Sequence, residues 1–312
     1  MTICIIGAAG FIGTNLTRRL AADSKNTITL VGENPAHFHN ILSMGFDNIK
    51  IKISPFSKDA DFEALLSDNE VLFHLASTTN PSSSNRKIGY EVESNVVTTT
   101  LLLDACVKCG VKRVVFLSSG GTVYGKEAKC PIPETSPTDP ISAYGLQKLT
   151  IEKLLHLYGY IHALDYRIIR LSNPYGPYQR PNGKLGALTT FTYKALQHMP
   201  IEVYGDGSVV RDYVYIDDAI DAIIKIAFDN GGEKLYNFGS GKGTSLNELL
   251  QLISSTLQTE LQLCYLPSRQ VDVPQNYLDI SRYEKRFGKP ALISLETGIA
   301  KTADFLSTNK SL

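Results

Sequence analysis

Short apolar runs alternate with amphipathic stretches through the first half of the chain. TICIIG leads into FIGTNLTRRLAADS, and ITLVG, IKI and DFEALLS follow; VLFHLAS then precedes SNVVTTTLLLDACVKCG and RVVFLSS. Strand-length runs separated by helix-length patterns imply right-handed βαβ crossovers and a doubly wound parallel sheet of Rossmann type. VLFHLA and RVVFL are apolar at nearly every position, which suits strands covered on both faces. RIIRLS, Arg167–Ser172, continues the sheet.

After Ser172 the texture changes. NPYGPYQRPNGKLG is rich in Pro, Gly and Tyr and has no periodicity, so it reads as a loop over a rigid scaffold. Helical patterns over Ala187–His198, Ala219–Phe228 and Leu246–Leu257 and a strand over Gln262–Leu266 complete the chain. The expected organisation is a Rossmann-type α/β domain over residues 1–172, with returns near 208–230. A smaller α/β substrate-binding domain is expected over 173–207 and 231–312.

Composition excludes more than it identifies. Of 312 residues, 43% are apolar and 20% charged, and 31 Lys and Arg balance 31 Asp and Glu. No global field draws the chain to nucleic acid or an anionic membrane, so an anionic ligand must be held by local groups. No signal peptide is visible, because the first apolar run is short and enters a glycine turn, and no run reaches membrane-spanning length. Five cysteines without framework spacing suit a reducing cytoplasm. Cys106-x-x-Cys109 has no second pair or nearby His to complete a metal site, so it reads as helix packing.

Two motifs carry chemistry. Gly7-Ala-Ala-Gly10-Phe11-Ile12-Gly13 joins the first strand to a helix. Its glycines allow a tight turn, close approach of a pyrophosphate and helix–sheet contact, with the helix amino terminus facing the phosphates. The second strand should end near an acidic residue for the ribose; Gly32 stands there and Glu33 follows. No arginine beside Glu33 awaits a 2′-phosphate, which favours NAD over NADP.

The second motif is Ser142-Ala-Tyr144-Gly-Leu-Gln-Lys148, with Tyr and Lys on one helical face. A tyrosine with a free pKa of about 10 becomes a base at neutral pH only if nearby positive charge favours the phenolate. Lowering it by roughly 3 units takes about 4 kcal/mol, which Lys148 and an oxidised nicotinamide are expected to supply together. A further question is posed by SSGGTVYG, where a buried strand ends in Ser118, Ser119 and Thr122 around two glycines. At the carboxyl edge of a parallel sheet those hydroxyls face either a turn or a ligand.

With these motifs on the page the chain resembles the NAD-dependent epimerase/dehydratase family of extended short-chain dehydrogenases/reductases. It is most similar in pattern to the UDP-hexose 4-epimerases. GAAGFIG, VLFHLAS, SNVVTTT, SSGGTVYG, YGLQK, LSNPYGPYQ, VYGDGSVVRDYVYIDD and RQVDV carry the resemblance nearly end to end. It implies an NAD site built from Gly7, Gly10, Phe11, Ile12, Gly13, Glu33, Leu75, Ala76, Ser77, Asn95, Ser118, Tyr144 and Lys148. It implies a UDP-sugar site with Ser119, Tyr144, Asn173, Val203, Tyr204, Arg211, Arg269, Asp272 and Asn276.

Within that site Arg211 and Arg269 would clamp the diphosphate and Asp272 would accept from a ribose hydroxyl. Tyr204 would stack on uracil, and Asn276 would gate bulk at the sugar, its mid-sized polar side chain admitting an N-acetyl group. The catalytic hydroxyl is Ser119, with Thr122 as reserve, and the glycines between them leave room for substrate. Gly120-Gly121 stands where a 4,6-dehydratase would carry Asp-Glu, which argues against dehydration. A reductase, a decarboxylase or a non-catalytic NAD sensor is the alternative, though a sensor would not need the Tyr–Lys pair. The resemblance also implies a homodimer through helices near 95–109 and 144–158.

Overall fold

The computed structural model describes residues 1–79, 84–181, 186–268 and 273–309. Within these the chain divides into two compact units. The first comprises residues 1–119, 142–169 and 226–235, and the second residues 120–141, 170–225 and 236–312.

The first unit begins with β1 (Thr2–Ile6), β2 (Thr27–Gly32), β3 (Ile49–Ile53), β4 (Val71–His74) and β5 (Arg113–Ser119). β6 (Asp165–Leu171) follows, and the sheet runs in the order β3-β2-β1-β4-β5-β6 before a returning strand, Leu235–Phe238, closes its far edge. The pairs β3/β2, β2/β1, β1/β4 and β4/β5 are all parallel. Strand order reverses at β1 and β4, which opens a crevice at their carboxyl ends.

The residue pattern explains each strand's place. β4 and the middle of β5 are buried at every position because helices cover both faces. β3, Ile-Lys-Ile-Lys-Ile, is partly exposed and lies at the edge, where lysines discourage further strand pairing. Leu102, Leu103 and Cys106 from helix Thr98–Lys108 meet Ile151 and Leu155 from helix Ala143–His162 in one core with Leu72, Val114 and Phe116. Each large apolar side chain so buried contributes about 2 kcal/mol.

The helical stretch SNVVTTTLLLDACVKCG is more elaborate than its spacing predicts. Residues Val92–Val97 form a π-helical turn, and the α-helix begins at Thr98. Thr98, Thr99 and Thr100 donate their hydroxyls back to the carbonyls of Glu93, Asn95 and Val97. Such back-bonding competes with the regular helical ladder.

The second unit adds β7 (Asn173–Tyr175), β8 (Ile201–Tyr204), β9 (Val210–Arg211) and β10 (Tyr213–Tyr215). β11 is the returning Leu235–Phe238, followed by β12 (Thr244–Ser245), β13 (Leu263–Leu266) and β14 (Gln275–Asn276). β7 pairs with β10 and β8 with β13, while β9 lies between β12 and β14. Helix Leu246–Leu257 forms where its pattern predicts. A capping box starts it, Ser245 Oγ accepting from Glu248 N and Glu248 Oε2 accepting from Ser245 N.

Residues 120–141 and 208–225 lie in the second unit. After Gly120 the chain leaves β5, and Ile132 bridges to Leu278. Asp212 explains the second segment. Its buried carboxylate accepts from Ser240 N and Oγ, both at 2.7 Å, and from Leu278 N at 3.2 Å.

One ion network closes the end of the first unit. Asp165 accepts from Arg113 Nε at 2.6 Å, Arg167 Nη1 at 2.7 Å and Lys234 Nζ at 2.5 Å. Burial pushes its carboxyl up, but the bonds from Lys234, Arg113 and Arg167 outweigh that and hold it at about 2. Arg167 is 1% exposed, so removing its counter-charge strands a buried cation. Asp165→Asn is expected to lower unfolding free energy by about 3 kcal/mol at pH 7 in urea titrations. Asp165's contribution is present above its unfolded value near 4 and is lost as pH falls toward 2. The variant and wild type should therefore converge in acid.

Candidate active site

The glycine turn lies at the point where strand order reverses. Gly7 N and Ala8 N donate to Val31 O at 3.1 and 3.2 Å, tying the turn to the end of β2 just before Gly32 and exposed Glu33. Gly7 has a φ of +88°, and a Cβ there would meet Ala76 N at 2.8 Å, so β4's continuation through Leu75, Ala76 and Ser77 passes close against it. A Cβ on Gly13 would meet Gly7 O at 2.4 Å.

Gly10 caps helix Phe11–Ala21 without a side-chain bond, and the first turn holds no acidic residue. The N–H groups of Phe11, Ile12 and Gly13 have no carbonyl one turn earlier in the helix, and the dipole adds positive potential. A turn of small residues with open donors fits a pyrophosphate, and Glu33 at the adjoining strand end fits a ribose diol.

Asn95 lies inside the π-helical turn rather than at a helix start. It is 2% exposed; its Oδ1 accepts from Thr78 N at 3.0 Å and its Nδ2 donates to Thr78 Oγ1 at 2.8 Å. It therefore holds the loop that follows Ser77. Below it Thr99 gives its proton to Asn95 O, so the 3.0 Å contact from buried His74 Nε2 is a donation to Thr99 Oγ1.

Helix Ala143–His162 carries the Tyr–Lys pair. Ser142 caps it, accepting from Gly145 N at 3.1 Å, and Asn85 Oδ1 accepts from Ala143 N at 2.7 Å. Lys148 is 4% exposed; its Nζ donates to Leu117 O at 2.8 Å and lies 4.7 Å from the Phe116 ring centre and 5.6 Å from that of Tyr144. Burial pulls the Lys148 ammonium down to about 8, against the opposing charge of Glu152. Burial, then the Glu91 charge, pushes the half-buried Tyr144 phenol up to about 12. This desolvation opposes the lowering expected from Lys148 and an oxidised nicotinamide acting together.

The hydroxyls after β5 separate. Ser118 Oγ donates to Glu152 Oε1 at 2.5 Å, which leaves its backbone as the part that can touch a cofactor. Ser119, half-buried, is the last residue of β5 in the first unit. Thr122 belongs to the second unit, and its Oγ1 is buried without a partner among the described residues. Gly120 does not leave room for substrate. A Cβ there would meet Leu278 Cδ1 at 2.5 Å, so the space is filled by leucine.

In the second unit Asn173 N and Nδ2 both donate to Asp212 O, at 3.0 and 2.9 Å. Arg211, half-buried, donates from Nη1 to Val273 O at 2.7 Å. Asn276 pairs with Arg211 across β14 and β9 and is 1% exposed. Its Nδ2 donates to Gly120 O at 3.2 Å, while Oδ1 is buried without a partner among the described residues. Tyr204 is half-buried at the end of β8. Val203, one residue before it on the same strand, is fully buried. Arg269 and Asp272 lie outside the described residues.

The family model described as the NAD dependent epimerase/dehydratase family matches residues 3–239. The chain belongs to that family. Over its whole length it is 35% identical to a UDP-glucose 4-epimerase of Mycolicibacterium smegmatis, also matched end to end. A UDP-glucose 4-epimerase of Thermotoga maritima, solved with UDP-glucose, superposes with a TM-score of 0.91 at 29% identity and full coverage of both chains. A UDP-N-acetylglucosamine 4-epimerase of Methanobrevibacter ruminantium, solved with UDP-N-acetylmuramic acid, gives 0.91 at 28% identity, covering 99% and 98% of the two chains.

Sequence reasoning missed Glu152, Glu91 and Asp212. Glu152 was within reach, since it repeats the four-residue spacing from Tyr144 through Lys148. Gly13→Ala places a methyl group against Gly7 O and should weaken NAD binding at least about tenfold by calorimetry, because the turn must open to admit it.

Proposed function

We propose that this member of the epimerase/dehydratase family inverts carbon 4 of a UDP-hexose through a transient 4-keto sugar. UDP-glucose and UDP-galactose, or their N-acetylated forms, are the substrates. The observation that carries this reading is Tyr144 and Lys148 side by side beneath the end of β5, in a unit whose glycine turn fits NAD. End-to-end similarity to a UDP-glucose 4-epimerase supports it.

Bound NAD supplies the hydride acceptor and donor for carbon 4, and its oxidised ring supplies a positive charge. Tyr144 takes the proton of the 4-hydroxyl, with Ser119 sharing the hydrogen bond and Thr122 as the second candidate hydroxyl. Lys148 holds the cofactor ribose and offers its charge to the phenolate. Arg211 and Arg269 hold the diphosphate, Tyr204 stacks on the base, and Asp272 accepts from the ribose. Binding energy from this remote nucleotide would keep the keto sugar from leaving the site. The buried, unpartnered Oδ1 of Asn276 supports a polar contact to the sugar's variable substituent.

The active form is a homodimer. Val97 and Leu101 ahead of and within helix Thr98–Lys108, and Leu157, Tyr160 and Ile161 on helix Ala143–His162, are exposed, Tyr160 by 86%. An apolar helical face of this kind supports burial against a second copy. All five cysteines are free thiols, which supports a reducing cytoplasm. Among the described residues no helix is long and apolar enough to cross a membrane.

Incubation with UDP-glucose, UDP-GlcNAc and UDP-glucuronate, with products separated by chromatography, tests the reading. Conversion of at least one to its 4-epimer is expected without net NADH, and no interconversion of any overturns it. Tyr144→Phe should lower turnover about a hundredfold or more while retaining NAD. An unchanged rate would remove Tyr144 as the base.

A further inference from the structure

Beyond Lys148 on the same helix lies a buried carboxylate that the proposed reaction leaves without a role. Glu152 is 4% exposed and follows Lys148 by one helical turn, as Lys148 follows Tyr144. Ser118 Oγ donates to Glu152 Oε1 at 2.5 Å, and Lys148 Nζ donates to Leu117 O at 2.8 Å. Two consecutive residues of β5 are thereby fastened to the helix, and the next is Ser119.

The surroundings of Lys148 are otherwise poor in negative charge. Phe116 and Tyr144 present rings to it. His74 on β4 is held down to about 3 by burial and then by the Lys148 charge, so it is neutral. Glu91 acts on Tyr144. From the packed helical segments, Asp104 accepts from Tyr158 Oη, Lys108 pairs with Glu63 and Glu93 with Lys58, and Arg86 and Lys87 are exposed. Glu152 is the carboxylate whose charge supports the buried ammonium.

We propose that Glu152 is a positioning residue of the epimerisation: its carboxylate fixes the end of β5 through Ser118 and serves as the counter-charge of Lys148. A buried ammonium without a counter-ion sheds its proton rather than remain charged. Lys148 would then be neutral when Tyr144 needs positive charge beside it. This role rests on the epimerase reading above.

Two variants separate the two functions. Glu152→Gln keeps the shape and an acceptor for Ser118 but removes the charge. Lys148 works protonated, so the alkaline limb of its kcat profile should move down by about one pH unit or more, with KM for the UDP-sugar unchanged. Ser118→Ala keeps the charge and loses the bond; its kcat should fall several-fold with the alkaline limb in place. A Glu152→Gln limb that coincides with wild type overturns the proposal. Should that variant not fold, Glu152→Asp decides, since a retained carboxylate must leave the limb unmoved and a shifted one refutes the role.

A measurement without turnover tests the same charge. The folded Lys148 value of about 8 lies below its unfolded value near 10.4, so stability rises as pH climbs from 8. In Glu152→Gln the denaturation midpoint should begin that rise at lower pH, and Lys148→Met should abolish it. Coincident onsets in Glu152→Gln and wild type refute the counter-charge. If wild type converts no UDP-sugar, the epimerase reading fails by itself, and this titration still decides the role of Glu152.

Discussion

Burying one ammonium constrains much of the first unit. Desolvating a lysine costs several kcal/mol after relaxation, and the protein offsets this with fixed partners rather than water. Leu117 O, the Phe116 face and the Glu152 charge are those partners, and two of the three come from consecutive positions at the end of β5. A strand end used this way cannot fray or shift register without stranding the charge. The same constraint orients helix Ala143–His162, and through it Tyr144, relative to Ser119. The core that β5 and this helix share, with Ile151 and Leu155 packed on Val114 and Phe116, makes the contact rigid enough for the purpose.

The second unit has a counterpart in Asp212. Its side chain gathers the Ser240 turn and the backbone at Leu278, while its carbonyl takes both donors of Asn173. Burial raises its pKa and those same hydrogen bonds oppose the rise. Arg211 precedes it and Asn276 pairs with Arg211, so three of the residues proposed to hold the nucleotide sugar lie around one buried organising group. Leu278 filling the space over Gly120 belongs to the same arrangement, since Leu278 N is held by Asp212.

Legibility followed the range of the interaction. The glycine turn, the Tyr–Lys spacing and the capped helix Leu246–Leu257 were readable because each is specified within a few residues. The doubly wound parallel character of the sheet was readable because alternation and right-handed crossovers leave few topologies. Other features depended on distant partners. Gly120 looked like an opening, but Leu278 occupies the space over it, and the Ser118 hydroxyl is engaged by Glu152, more than thirty residues away. Val203 stands next to Tyr204 in sequence but faces the core, because successive residues of a strand point to opposite sides. The second unit's share of residues 120–141 and 208–225 likewise follows from contacts with residues near 240 and 278, which no local pattern announces.

These constraints bear on how the base is controlled. In the chain alone burial favours the uncharged form of both partners, holding Tyr144 at about 12 and Lys148 at about 8. Near neutral pH that leaves a phenol beside an ammonium, with Glu152 balancing the ammonium. Burial, and then the Glu91 charge, therefore favours the neutral phenol of Tyr144, the proposed base. In the proposed reaction the positive charge of an oxidised nicotinamide would therefore have to act together with Lys148 to favour the phenolate of Tyr144. The same desolvation that makes Tyr144 a poor base in isolation strengthens any charge placed beside it, because low dielectric amplifies both effects.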